Sequence, residues 1–458
     1  MKALIIISIL GVVAMMAEVF RFKKLLLPVV VIGLSAALTT LVMGWGTDIR
    51  YFNDMVYFDN YAIAFSGLII LITLLWLVMG GEYFTGDNKF SENAALILFT
   101  LTGAIAMVSF SDLTMFFIGL EILSISLYVL ASSDKQNLLS NEAGLKYFLM
   151  GAFATGFLLF GIALIYGACG SFNLQVIGET LAKGSVSPLF IQVGVLMILI
   201  GFLFKISAVP FHFWAPDVYE GAPTLVTTFM ATVVKTAAFA AFYRLFSTCF
   251  MPFFEVWGPA VAVLSALTML AGNILAVYQK SFKRMLAYSS IAHAGYMLMA
   301  IATMSEVSAG SILLYTAAYS LGSLGAFSCL HAMGKKDGEE GIDAFNGLGK
   351  RQPLVAIFLI MTMFSLAGIP PVAGFFAKYY LFYGALTGGY TWLVLVAILS
   401  SLIGVFYYFR VIYAVLKDDT VESEGFKLDA GHVFLLLIAA VMSLVIGIFP
   451  SWIQSLLL

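Results

Sequence analysis

The stretch GFLFKISAVPFHFW at residues 201–214 decides how this chain is read. It sets Lys205 at the end of an uncharged run that begins at Gly184, and it puts Pro210 five residues later. Such a run is long enough for a helix that crosses about 30 Å of hydrocarbon, so the cation arrives at membrane depth. Proline removes a backbone hydrogen bond and clashes with the preceding turn, which breaks the helix there. Inside a bilayer a break is tolerated only where protein or a water-filled cavity satisfies the freed groups. Lysine and break together therefore point to a polar cavity inside a membrane protein.

The rest of the chain supports that setting. Of 458 residues, 62% are hydrophobic and only 10% charged, a balance no water-soluble globule requires. The apolar residues come in runs of helical length and do not alternate as in a β-barrel. The expected fold class is an all-α polytopic membrane protein. A net charge of −2, with no basic stripe, gives nucleic-acid binding no support. Partners are expected to be lipid and other membrane proteins. The three cysteines, Cys169, Cys249 and Cys329, are far apart and read as packing residues. An apolar run up to Ala17 follows Lys2 without an A-x-A cleavage pattern, so the first span is expected to be retained.

Apolar segments fall near 3–20, 25–43, 61–80, 93–110, 113–131, 143–168 and 189–210, and again near 224–246, 257–278, 285–304, 308–331, 354–387, 391–415 and 432–450. That predicts about fourteen spans. One set of loops collects Arg21, Lys23, Lys24, Lys89, Lys135, Lys280, Lys283, Arg284, Lys335, Lys336, Lys350, Arg351, Lys417 and Lys427. The other set holds Lys2, Arg50, Lys183 and Arg244. The positive-inside bias places both termini on the non-cytoplasmic side. The charged stretch at 334–353 reads as a cytoplasmic loop.

Five ionisable residues stay within spans: Glu121, Lys146, Lys205, Lys235 and Lys378. Each costs about 2.5–3.5 kcal/mol at a helix centre, so a function or a partner must offset them. Lys235, Lys378 and Glu121 are isolated from other charges along the chain. Lys146 follows Glu142 by one turn, the spacing of an ordinary surface ion pair. One acid facing four bases leaves pairing incomplete, and a lysine held in a low dielectric can exchange its proton near neutral pH. That is the chemistry of a proton relay, with hydroxyls, histidine and trapped water as bridges. His293, mid-span beside serines and Tyr296, reads first as a hydrogen-bonded packing residue and second as a relay element, whereas His212, His331 and His432 read as structural. No HExxH, Cys/His cluster or GxGxxG indicates a metal, haem or nucleotide site.

A second break occurs in SLAGIPPVAGFFAKYY at 365–380, where Gly368, Pro370 and Pro371 precede Lys378. Two interrupted spans, each with its own lysine, suggest a transporter built from two repeats with ion sites at the broken helices. Residues 1–90 would hold three spans, 91–250 and 255–417 the five-helix repeats, and 430–458 a last span.

The phrases FKISAVPFHFWAPDVYEGAP (204–223), KRMLAYSSIAHAGYMLMA (283–300) and SLAGIPPVAGFFAKYY (365–380) resemble the antiporter-like subunits of proton-pumping NADH:quinone oxidoreductase, respiratory complex I, and most closely their subunit N group. The resemblance implies fourteen helices, two five-helix repeats of inverted topology and a bacterial inner-membrane location. It implies that Glu121 pairs with Lys205 and that Lys146, Lys235, His293 and Lys378 complete a proton route. It places NADH, flavin, iron–sulfur clusters and quinone in partner subunits, with no cofactor in this chain. Multisubunit cation/proton antiporters and membrane-bound hydrogenases share the core and form the alternative.

Overall fold

The computed structural model describes residues 1–20, 23–80, 90–184, 187–337, 341–417, 428 and 430–457. Its helices are α1 Lys2–Val19, α2 Lys23–Val42, α3 Asn60–Gly80, α4 Phe90–Ser109, α5 Leu113–Ala131, α6 Leu138–Cys169, α7 Leu174–Ala182, α8 Pro188–Lys205 and α9 Trp214–Gly221. Next comes α10, Thr224–Thr248, a continuous helix with a π-helical turn at Met230–Val234. It is followed by α11 Phe254–Val277, α12 Phe282–Thr303, α13 Ser308–Asp337, α14 Pro353–Ala367, α15 Ala373–Thr387, α16 Thr391–Leu416 and α17 Ala430–Ile448. Among the described residues twelve helices are long and apolar enough to cross a membrane, and Lys2–Ala17 and Pro353–Ala367 are shorter apolar helices. Of the cations used for orientation, Arg21, Lys89 and Lys427 lie outside the described residues.

Helix surfaces invert the soluble pattern. Ile32, Phe153, Leu395 and Phe406 are exposed on outer faces, an apolar exterior that suits hydrocarbon and would aggregate in water. Polar groups instead collect inside, where Thr228, Thr232, Lys235, Asn273, His293 and Lys378 are buried.

The chain packs as two compact units, Met1–Ser207 with Val233–Ala260, and Ala208–Thr232 with Val261–Leu458. In the first unit, α4 lies on α5 and α6 lies on α8. Small residues permit both contacts, because lipid gives no hydrophobic drive between helices and close backbone approach must supply it. A Cβ on Gly103 would fall 2.6 Å from the Gly119 carbonyl oxygen, and one on Gly161 would fall 2.7 Å from that of Gly194. An antiparallel hairpin, β1 Ile49–Tyr51 with β2 Val56–Phe58, closes one end. Its turn, Phe52 to Asp54, runs through positive φ, and strands of three residues left no period for sequence reading to detect.

In the second unit, α12 and α13 are enclosed by α11, α14, α15 and α17. Both expected breaks are present, and they begin earlier than the prolines. The span placed at 189–210 ends as a helix at Lys205, and Ser207 turns the chain at φ 62° before Pro210 is reached. The span placed at 354–387 stops at Ala367, where Gly368 takes φ 82°. Gly368 and Ile369 N–H groups both donate to the Phe364 carbonyl, the usual way a left-handed glycine closes a helix. The prolines thus keep an opened chain from resuming its helix, and the residues before them do the turning.

Candidate functional site

Three helices of the first unit converge on Lys205. It is the last residue of α8 and only 6% exposed. Its ammonium donates to Ser124 Oγ on α5 at 2.8 Å and to Tyr147 Oη on α6 at 3.4 Å, and it stands 5.6 Å from the Tyr147 ring centre. A helix C-terminus carries partial negative charge from its unpaired carbonyls. The break therefore creates a place for a cation that an unbroken apolar helix would not offer.

Glu121 lies one turn before Ser124 on α5, within electrostatic reach of Lys205. Among the described residues the two form no ion pair, and the carboxylate oxygen Oε1 is buried without a hydrogen-bond partner. Ser124 stands in the direct position beside Lys205. Acid and base are neighbours with an alternative acceptor between them, an arrangement that can be switched.

Lys235 follows the π turn of α10 without a break and is 3% exposed. A π turn inserts an extra residue into the helix and re-aims the side chains around it. Lys146 is placed differently: its ammonium meets Glu142 at 2.6 Å on the outer face of α6, the two side chains being 40% and 57% exposed. The next residue, Tyr147, is the one turned toward Lys205.

His293 and Lys378 organise the second unit. His293, on α12, is 4% exposed, with Tyr315 Oη 2.7 Å from Nδ1 and Tyr408 Oη 3.1 Å from Nε2. Tyr408 Oη also bonds Ser289. Lys378, on α15, donates to Ser401 Oγ at 2.8 Å and to the Ala367 carbonyl at 2.8 Å. Ala367 ends α14, so the second lysine also meets the C-terminal end of a broken helix, here by reaching back across the break. Gly368 leaves room for this, since a Cβ there would sit 2.9 Å from Lys378 Cδ and 3.1 Å from Nζ.

Tyrosines join the two centres of this unit. Lys378 Nζ lies 4.9 Å from the Tyr296 ring centre, and Tyr296 Oη accepts from Asn273 Nδ2 at 3.1 Å. Asn273 also donates to Ser400 Oγ at 2.8 Å and accepts from Tyr407 Oη at 2.9 Å. The Tyr407 ring stands 4.4 Å from that of Tyr408, which returns to His293. A cavity of about 10 Å³ beside His293 is lined by Tyr315, Ala318, Tyr319, Leu366 and Ala377.

Sequence reasoning found the charges and missed their partners. Ser124, Tyr147, Asn273, Tyr315, Ser401 and Tyr408 complete the two networks. Asn273, an amide in the apolar run ALTMLAGNILAV, carried a usable signal because a buried polar group must find partners. The hydroxyls carried none, since serine and tyrosine occur on lipid-facing and interior surfaces alike. His212 is buried apart from both networks, and His331 and His432 stack at 5.6 Å near the ends of α13 and α17. Among the described residues no group of three or more His, Cys, Asp or Glu side chains is placed to hold a metal.

Known proteins fit this architecture. A family model described as NADH:quinone oxidoreductase/Mrp antiporter, TM, matches residues 110–404. The NADH-quinone oxidoreductase subunit N of Cytophaga hutchinsonii is 43% identical over 98% of both chains. That of Flavobacterium johnsoniae is 42% identical over 100% of both. Among solved structures, a chain of respiratory complex I from Thermus thermophilus with bound Aureothin superposes with a TM-score of 0.84 at 31% identity, covering 99% of this chain and 98% of that one. Sequence motifs, broken helices and full-length similarity agree, and the chain belongs to the NADH:quinone oxidoreductase/Mrp antiporter family of transmembrane subunits.

Proposed function

We propose that the chain is an N-type subunit in the membrane arm of a proton-pumping NADH:quinone oxidoreductase, carrying protons across a bacterial inner membrane with both termini on the non-cytoplasmic side. The observation that carries this reading is shared by the two broken helices. Each places a buried lysine beside the end of its first half: Lys205 is the last helical residue and its ammonium is held by Ser124 and Tyr147, and Lys378 reaches back to the Ala367 carbonyl and to Ser401. A lysine held by hydroxyls and a tyrosine ring, with one carbonyl added at Lys378, is bound tightly enough to stay and loosely enough to exchange a proton, because none of these partners is a fixed counter-charge.

In the first unit the charge of Glu121 sets the field at Lys205, and a change in that field alters the proton affinity of Lys205 and, through it, Lys235. In the second unit His293 and Lys378 exchange protons through the hydroxyls of Tyr408, Tyr407, Tyr296 and Ser401, with the Asn273 amide holding Tyr407 and Tyr296 in place. The apolar exterior prevents leakage. NADH, flavin, iron–sulfur clusters and quinone belong to partner subunits, so this chain couples to redox chemistry by conformation and field alone.

The test is Lys235→Ala in the whole complex. Expected is an assembled enzyme that pumps fewer protons for each NADH oxidised. An assembled Lys235→Ala complex with normal pumping removes that residue from the route. Purification with small membrane partners and without flavin or iron–sulfur subunits would favour a cation/proton antiporter instead.

A further inference from the structure

One end of the first unit holds a cavity that the proton route does not use. It measures about 320 Å³ and lies among the β1–β2 hairpin, the ends of α4 and α10 and the start of α7, with Arg50, Tyr57, Asn173, Tyr243 and Arg244 in its walls. Arg50 and Tyr57 are directly opposed across the hairpin. The Arg50 guanidinium stands 4.8 Å from the Tyr57 ring centre, and that of Arg244 stands 5.8 Å from the same centre and 5.1 Å from that of Tyr61. Two cations are thus drawn against one ring.

One carboxylate answers both. Asp59 is the only acid in the wall among the described residues, and it already accepts from Arg244 and, at 2.8 Å, from the Ala62 N–H. Arg244 gives a second donor to the Phe110 carbonyl at 3.3 Å, and its Nε–H is buried without an acceptor among the described residues. Arg50 has a neutral partner there, Gln175 Oε1, 3.4 Å from both of its terminal nitrogens. The Asn173 side-chain oxygen caps α7 by accepting from the Gln175 and Val176 N–H groups, which leaves its amide nitrogen as a donor. Two positive charges against one negative charge leave one uncompensated, in a wall of donors that has no free carboxylate to receive a cation. That is a donor set for an anion.

We infer that this cavity binds the phosphate of an anionic phospholipid, with Arg50 as the group that recognises it. The cavity lies where α3 begins and α4 and α10 end, the edge of the hydrocarbon, and lipid phosphates lie at that depth. Tyr57, Tyr61 and Tyr243 line it, in keeping with the preference of amphipathic rings for the membrane interface. Its size admits a headgroup and leaves the acyl chains outside. The planar fork of Arg50 matches two phosphate oxygens. A zwitterionic headgroup fits less well, because the rings of Tyr57 and Tyr61 that would receive its ammonium already carry guanidinium groups. Arg244, tied to Asp59, sets the charge of the site and holds its wall. The inference stands apart from the proton route and needs only that the chain spans a membrane.

The experiment places the assembled complex in phosphatidylcholine vesicles that contain phosphatidylglycerol with a photoactivatable group on its headgroup, and maps the labelled peptides by mass spectrometry. Expected is labelling of peptides that contain Tyr57, Gln175 or Tyr243, falling about tenfold in Arg50→Gln, the scale of one lost charged hydrogen bond. Arg50 is exposed on β1, so its replacement leaves the packing intact, and Arg50→Lys, which keeps the charge without the fork, should label between the two. Lys183→Gln removes an exposed cation from outside the cavity wall and should label as the parent does. Equal labelling of parent and Arg50→Gln would overturn the inference, and so would an equal loss in Lys183→Gln, since general surface charge would then explain the attraction. Competition by the same concentration of inorganic phosphate, or equal labelling by a phosphatidylcholine carrying the same group, would overturn the anionic lipid as the ligand. Unlabelled peptides in the parent would overturn it too, and an acidic side chain of a neighbouring subunit seated in the cavity would give that result.

Discussion

Replacing Gly368 with alanine tests whether the second break exists to hold Lys378. The new Cβ meets two difficulties that can be separated. One is conformational: φ is 82°, and a left-handed residue with a Cβ costs about 1–2 kcal/mol. The other is the Lys378 side chain, whose Cδ, Nζ and Cε would lie 2.9, 3.1 and 3.2 Å from that Cβ. Moving the lysine aside loses its bond to the Ala367 carbonyl, a charged hydrogen bond worth about 1.5–3 kcal/mol. Gly389 supplies the control, since it has φ 81° with nothing within 4 Å of an added Cβ. Gly389→Ala should therefore show the conformational cost alone, and Gly368→Ala should exceed it by about 1.5–3 kcal/mol in denaturant titration of the detergent-solubilised protein. In a Lys378→Gln background the excess should shrink, as a double-mutant cycle requires of a direct contact. Equal costs for the two alanine variants, with pumping unchanged in Gly368→Ala, would refute the idea that this glycine makes room for the lysine.

Four further perturbations probe other parts of the chain. Asp59→Ala leaves Arg244, which is 6% exposed, with the Phe110 carbonyl at 3.3 Å and the rings of Tyr57 and Tyr61 but no carboxylate among the described residues, and should destabilise the protein by about 2–3 kcal/mol, less than a fully buried pair because Asp59 is partly exposed; thermal melting measures it. Asn273→Ala strips partners from Tyr296, Ser400 and Tyr407 at once and should cost about 1–3 kcal/mol for each group left unsatisfied while lowering proton pumping; melting with intact pumping would separate packing from transport. Ser124→Ala removes the shortest hydrogen bond of Lys205 and should let the ammonium move toward Glu121, which a structure of the variant would reveal as a new ion pair. Lys146→Gln breaks an exposed i,i+4 pair and should change stability by only about 0.3–0.5 kcal/mol, so a large fall in pumping would assign Lys146 a transport role that its position on the outer face does not suggest.

The spans, the two breaks and the deep lysines were legible in the sequence because each depends on local chemistry. Length and hydropathy define a crossing helix, proline defines a break, and an isolated charge in an apolar run stands out. Lys205 illustrates the limit. Its burial and its broken helix could be read from 201–214, but its immediate neighbours could not, because Ser124 and Tyr147 reach it from helices 81 and 58 residues away in the chain. The π turn before Lys235 was also hidden, since Met230–Val234 holds no glycine or proline to mark it. Lys146 carried two readings, a surface pair from Glu142 one turn earlier and a relay residue from the resemblance; its ammonium meets Glu142, and an ion pair in one chain does not decide between them.

The most direct measurement is the number of protons pumped for each NADH oxidised by the whole complex carrying Lys205→Ala in sealed vesicles. A complex that assembles, still passes electrons to quinone and pumps at a markedly lower ratio is the expected result. An assembled Lys205→Ala complex with the parental ratio would contradict the claim that the lysine at the end of the broken helix handles protons.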